Sequence, residues 1–245
     1  RKKDGFLNII SIFSFIGISL GVAVLIIVMS VMNGFRTELI NKIVGFNAHV
    51  TVKPYENPIN LEKLNEKSLK NISKELIFSN SGEAIIISKD YTKGLVLRGY
   101  NKKDFAKLDV VKKGNLIGQS NQLTKDSISI GKELSFNLNL SVGDRISIMS
   151  PVGIETIIGS LPKQETFIIN SIFDSGLADF DANIAFINLD KLEEFFALKV
   201  EKRNLEIYLK DPSNINEAKF KIQKIFNNEF VFTWADMNNS LFSAL

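Results

Sequence analysis

The chain has 245 residues, 45% of them hydrophobic, and its 30 basic and 27 acidic side chains leave a net charge of only +3. The basic residues are dispersed apart from Arg1, Lys2 and Lys3, so nothing points to a nucleic-acid partner. The lack of cysteine excludes disulfides, thiol nucleophiles, thiolate zinc sites and iron–sulfur clusters, and a lone histidine, His49, excludes a histidine metal cluster.

The first element is the most distinct. No charged side chain stands between Asp4 and Arg36, a gap of about 30 residues, and a helix needs about 20 apolar residues to cross a hydrocarbon core of about 30 Å. The pattern predicts a transmembrane helix over 9–33. A cleaved signal peptide has an apolar core of about 7–15 residues before a small-x-small site; this run is about twice as long and ends in Met32-Asn33-Gly34-Phe35. Basic residues precede the helix and mixed charges (Arg36, Glu38, Lys42) follow it, so residues 1–8 are expected in the cytoplasm and 34–240 outside the cytoplasmic membrane. Residues 241–245 are expected to lead into a second membrane helix. Gly17 and Gly21 form a small-xxx-small pair of the kind that lets helices pack closely in lipid, though glycine is common in such helices. Val28, Val31, Met32 and Phe35 make the outer end apolar and adaptable, suited to irregular acyl chains or to plain lipid contact.

Beyond the membrane the helix is expected to continue over 37–46, ended by Gly45. Residues 48–52 alternate as a strand that carries His49 on its surface, and Pro54 and Pro58 interrupt the chain. Leu61, Leu64, Leu69, Ile72 and Leu76 predict an amphipathic helix over 61–76. Two strands, 83–89 and 94–100, flank a polar turn as a hairpin. A strand at 128–130, a short helix from Gly131, a turn at Val142-Gly143-Asp144 and a strand at 145–149, stopped by Pro151, come next. Strands at 165–173, 182–188, 204–210 and 230–234 and helices at 188–199 and 214–227 complete an α+β pattern with mixed or antiparallel sheets and packed helices.

Catalytic signatures are sparse. The sequence has no G-x-x-x-x-G-K-[ST] phosphate loop and no G-x-S-x-G elbow, and one histidine makes a histidine triad improbable. Asp174, Asp179 and Asp181 lack the one-three-five spacing and closing glutamate of a calcium loop, so a polar turn is the simpler reading and no metal site is expected. The stretch 151–162, PVGIETIIGSLP, carries Ile154, Ile157, Ile158 and Leu161 with one charge, Glu155. Such an apolar connection marks a partner surface or folds back on the core.

Four stretches together, FIGISLGVAVLIIVMSVMNGF (15–35), GKELSFNLNLSVGDRISIMSP (131–151), GSLPKQETFIINSIFDSGLADFDANIAFI (159–187) and TWADMNNSLFSAL (233–245), resemble the LolC/LolE permeases of the lipoprotein-releasing ABC transporter. The resemblance implies a MacB-like periplasmic domain in the inner membrane and a non-catalytic subunit that binds no cofactor itself. ATP and Mg would belong to a LolD-like cytoplasmic ATPase. The other implied partners are a second LolC/LolE-type permease, as homodimer or heterodimer, a LolA-like periplasmic chaperone and triacylated lipoproteins. It further implies that Val28, Val31, Met32 and Phe35 face an acyl-chain cavity. The stretch 151–162, with Pro151, Ile154, Ile157, Ile158, Pro162, Lys163 and Gln164, matches the chaperone-docking loop called the Hook. Ser160 and Glu165 stand where the LolC type carries arginines, which leaves the subtype open. A MacB-type exporter half and a single-pass anchored binding or sensor domain are the alternatives.

Overall fold

The structure is a computed structural model in which residues 3–88, 91–112, 116–118, 123–156, 159–212 and 214–237 are described. Contacts divide it into two compact units, 1–41 and 42–244. Helix α1 runs over Lys3–Phe46, 44 residues without interruption. Its segment Asn8–Phe35 is 28 residues long with a mean hydropathy of 2.8, and none of it is buried against the rest of the chain. A helix apolar on all sides needs a nonaqueous environment, and this one is long enough to span a bilayer. It is the N-terminal transmembrane helix.

The second unit holds, in order, β1 (Val50–Lys53), a 3-10 turn (Leu61–Asn65), α2 (Lys67–Ile72), β2 (Ser73–Ser88), β3 (Tyr91–Tyr100), α3 (Lys102–Phe105), α4 (Asp109–Lys112), β4 (Leu116–Gly118), β5 (Ser127–Gly131) and α5 (Lys132–Asn137). After these come β6 (Arg145–Thr156), β7 (Gly159–Phe173), α6 (Ala178–Asn183), β8 (Ile184–Asn188), α7 (Leu189–Phe196), β9 (Asn204–Leu209), α8 (Ile215–Ile225), β10 (Phe230–Thr233) and α9 (Trp234–Met237). The strands form one ten-stranded mixed sheet in the order β10-β1-β9-β2-β3-β8-β5-β7-β4, with β6 joining β7 back to β2. The path β2-β3-β8-β5-β7-β6 therefore closes on itself as a small barrel, with β3–β8 and β5–β7 parallel and the remaining pairs antiparallel.

Period-two alternation fills that barrel. Each strand sends in two side chains two residues apart: Ala84 and Ile86, Leu95 and Leu97, Ala185 and Ile187, Ile128 and Ile130, Phe167 and Ile169, Ile146 and Ile148. Leu192, Phe195 and Phe196 of α7 join the same cluster, and Leu138 and Leu140 pack against it. Phe196 lies so close over β2 that a Cβ on Gly82 would sit 2.6 Å from its ring. The long strand β2 leaves the barrel to pair with β9 over Ser73–Ser79. On the resulting wing, Val50, Val52, Leu205, Ile207 and Leu209 meet Leu69, Ile222, Ile225 and Phe226 from the α2 and α8 layer.

Three sequence expectations are corrected. The helix expected over 61–76 is a 3-10 turn and the short α2, interrupted at Glu66 (ψ 131°), and Leu76 lies in β2 opposite Ile207. The ladder to β9 outweighs helical periodicity there, and Ser73 closes α2 by donating its hydroxyl to the Leu69 carbonyl at 2.8 Å. Residues 182 and 183 end α6 instead of starting a strand. Pro151 does not stop β6. The register jumps from Met149 opposite Gln164 to Gly153 opposite Pro162, so 150–152 form a bulge in which Ser150 stays buried, and a proline N–H missing there costs no ladder bond.

Candidate functional site

Helix α1 places the expected cavity residues on one side. At about 100° per residue, Gly17, Gly21, Val28, Val31, Met32 and Phe35 fall within one stripe about 100° wide. Val28, Val31, Met32 and Phe35 are all exposed in this chain, and a Cβ on Gly17 or Gly21 would meet nothing within 4 Å. Close approach is thus open at the glycine level, and bulky apolar side chains occupy the same side nearer the helix end.

The stretch 151–162 is a two-stranded ribbon instead of an irregular loop. Gly153 opposes Pro162, Ile154 opposes Leu161, Glu155 opposes Ser160 and Thr156 opposes Gly159. Pro151, Leu161, Pro162 and Gln164 are exposed. Ile157 and Ile158 lie outside the described residues, as do residues 1–2 and 241–245. Lys163 does not project freely. Its Nζ donates to the Glu194 carbonyl at 3.0 Å, pairs with Glu165 at 3.1 Å and lies 5.8 Å from the Phe195 ring centroid. Glu165 also pairs with Lys191, whose ammonium is 3.6 Å from the Glu194 carboxylate. Burial alone would raise the Glu165 pKa, but hydrogen bonds from Lys191 and Lys163 outweigh it and hold the carboxyl below its ordinary value.

Where the chain leaves α1 it enters a polar and aromatic socket. The Phe46 ring packs on Phe173, Phe180 and Phe186 with centroids 6.1, 5.0 and 6.1 Å away. Next to it, Arg98 donates to Asn47 Oδ1 at 3.3 Å and to Glu206 Oε1 at 3.1 Å. The buried Glu206 carboxylate also accepts hydroxyls from Ser79 (2.6 Å), Tyr100 (3.0 Å) and Tyr208 (3.1 Å). Asn47, Thr51, Lys53, Arg98, Glu206 and Trp234 line a cleft of about 180 Å³ above this network. Sequence reasoning missed it, although a glutamate inside the apolar run NLEIYL was a signal. His49 is buried, contrary to the surface position expected, and its Nδ1 accepts the Leu209 N–H at 2.7 Å.

The aspartate turn is structural. Asp174 pairs with Lys132 at 3.0 Å and accepts the Gly176 N–H at 2.9 Å, and the buried Asp181 accepts the Ser175 N–H at 3.0 Å. Desolvation raises the pKa of Asp181 above the ordinary aspartate value, with Asp174 adding to the shift. Among the described residues, no group of three or more His, Cys, Asp or Glu side chains could hold a metal ion.

Residues 11–225 match the family of MacB-like periplasmic core domains. The chain is 26% identical, over its whole length, to the lipoprotein-releasing system transmembrane protein LolC of Neisseria meningitidis serogroup B. It is 29% identical over 98% of its length to the protein of the same name from Buchnera aphidicola subsp. Acyrthosiphon pisum. It spans about 60% of the length of each of these relatives. Among solved structures it is similar to the periplasmic region of MacB from Actinobacillus actinomycetemcomitans, with a TM-score of 0.44 and 9% identity, covering 81% of this chain and 95% of that one. By the match across most of its length, the chain belongs to the MacB-like periplasmic core domain family.

Proposed function

We propose that this chain is part of a permease subunit of a lipoprotein-releasing ABC transporter in the inner membrane, with residues 34–240 in the periplasm. Its similarity to proteins named LolC over 98–100% of its length carries this reading. In this account a separate cytoplasmic ATPase of the LolD kind hydrolyses ATP, and a second LolC/LolE-type permease completes the membrane part. No residue in this chain acts as a catalyst.

The physics of the cargo explains such a division. Moving acyl chains from a bilayer into water costs about 0.8 kcal/mol per CH₂, which for three chains sums to tens of kcal/mol. Extraction therefore needs ATP and an apolar route throughout. The stripe of Val28, Val31, Met32 and Phe35 supplies part of that route, and the β6–β7 ribbon presents Leu161, Pro162 and Gln164 to a LolA-like chaperone. Photo-crosslinkers at Met32 and Leu161 of the full-length protein in cells test both assignments. Met32 is expected to capture triacylated lipoprotein and Leu161 a small soluble periplasmic protein. Capture of neither, with the protein assembled in the membrane, would overturn the proposal.

A further inference from the structure

We infer that Glu165 is a positioning residue that, with Lys191, fixes the direction in which the β6–β7 ribbon leaves the barrel; Lys163 serves the same clamp instead of a partner. This rests on the reading of the ribbon as a docking surface. The register shows why a clamp is needed. Strand β6 pairs with β2 as far as Met149, and beyond the bulge at 150–152 it has β7 as its partner. A ribbon of two strands is marginally stable and twists readily, and the bulge sits where its direction is set.

Helix α7 lies across this base. Lys163 stands on β7 opposite the bulge and donates to the Glu194 carbonyl, while Glu165, one alternation further, bridges Lys163 and Lys191. The three charged side chains are 23%, 19% and 14% exposed. The helix is itself anchored: Leu192, Phe195 and Phe196 are in the barrel core, and Arg203 pairs with Glu193 and Asp190 at 2.7 and 3.0 Å. Rigidity thus passes from barrel to α7 to ribbon. The charge balance identifies Glu165 as the keystone. Lys163 and Lys191 face Glu165; of the acids on α7, Glu194 lies 3.6 Å from Lys191, while Asp190 and Glu193 are taken up by Arg203. Neutralising Glu165 leaves two ammonium groups around one remaining acid.

The test uses the full-length protein with a nitroxide on a cysteine introduced at Leu161, cysteines beyond these 245 residues being replaced. Room-temperature spin-label spectra report ribbon mobility without requiring a chaperone. In the parent protein the label is expected to be restrained at pH 7 and to loosen only as pH falls below about 4.5, the ordinary value for Glu165. In Glu165→Gln it should be mobile across the whole range, and in Lys191→Met mobile at pH 7. Chaperone capture from a photo-crosslinker at Leu161 should fall about tenfold in Glu165→Gln, as pre-organisation is lost. A restrained spectrum in Glu165→Gln, with the protein folded, would overturn the inference. Increased mobility in Glu165→Gln, with no chaperone captured even by the parent, would sustain the clamp and remove the docking role instead.

Discussion

At the scale of single residues, the buried charges divide into those the fold depends on and those it tolerates. Arg98 and Glu206 are a closed pair, every acceptor position of the carboxylate being used by a hydroxyl or guanidinium donor. Removing one member leaves the other charge largely buried without its partner, which costs about 3–5 kcal/mol. Glu206→Ala should therefore lower the unfolding free energy of the protein by that amount and its denaturation midpoint accordingly, and an unchanged midpoint would show that the pair is dispensable. Asp181 is the opposite case. Its pKa is higher folded than unfolded, so its contribution is most favourable at low pH and is lost as pH rises through the folded value. Asp181→Asn should stabilise the protein at pH 7, with the advantage disappearing below pH 3.8, the ordinary aspartate value. Urea midpoints at both pH values measure this. Glu165 has the reverse sign: its stabilisation is present above about 4.5 and is lost as pH falls through its depressed folded value. None of these environments is legible in one dimension. A glutamate in an apolar strand signals a partner, but Arg98 lies 108 positions away.

At the scale of elements, alternation made many strands readable and left their closure hidden. Ile128/Ile130 and Ile146/Ile148 announce two strands by alternation, and the structure turns both into barrel walls, with β5 buried on both faces. That β6 returns to β2 through Ile85 opposite Met149 depends on a meeting between segments about 60 residues apart, which local pattern cannot encode. Leucine spacing over 61–76 misled because β2 needed its first residues for the pairing with β9. Pro151 misled because a proline inside a bulge gives up no ladder bond. Two substitutions probe the barrel. Phe167, fully buried against Phe195, should cost about 3–5 kcal/mol on change to alanine. Gly131→Ala should be comparably damaging, because its Cβ would fall 2.1 Å from the Asp181 carbonyl oxygen. Retention of the parent melting temperature in Gly131→Ala would mean that α6 can move away from β5 freely.

At the scale of the whole molecule, the division of labour was the most legible feature. The charge-free run predicts a membrane helix from hydropathy alone, and α1 covers it without a break. The candidate surfaces were legible in part. Met32 and its neighbours share one side of α1 as their spacing requires, whereas the ribbon was anticipated as a loop and its attachment to α7 was not anticipated. Long-range ion pairs such as Glu165 with Lys191 leave no local trace beyond the presence of the charges. The central claim is that this chain belongs to a machine that lifts lipoproteins out of a bilayer. Its most direct test is ATP-dependent release of a triacylated lipoprotein into the soluble fraction. The assay uses membranes containing the full-length protein and its ATPase, with a periplasmic chaperone added. The account predicts release that is lost in Met32→Asp while association with the ATPase persists. Equal release from the parent and Met32→Asp proteins, or none from the parent, would contradict it.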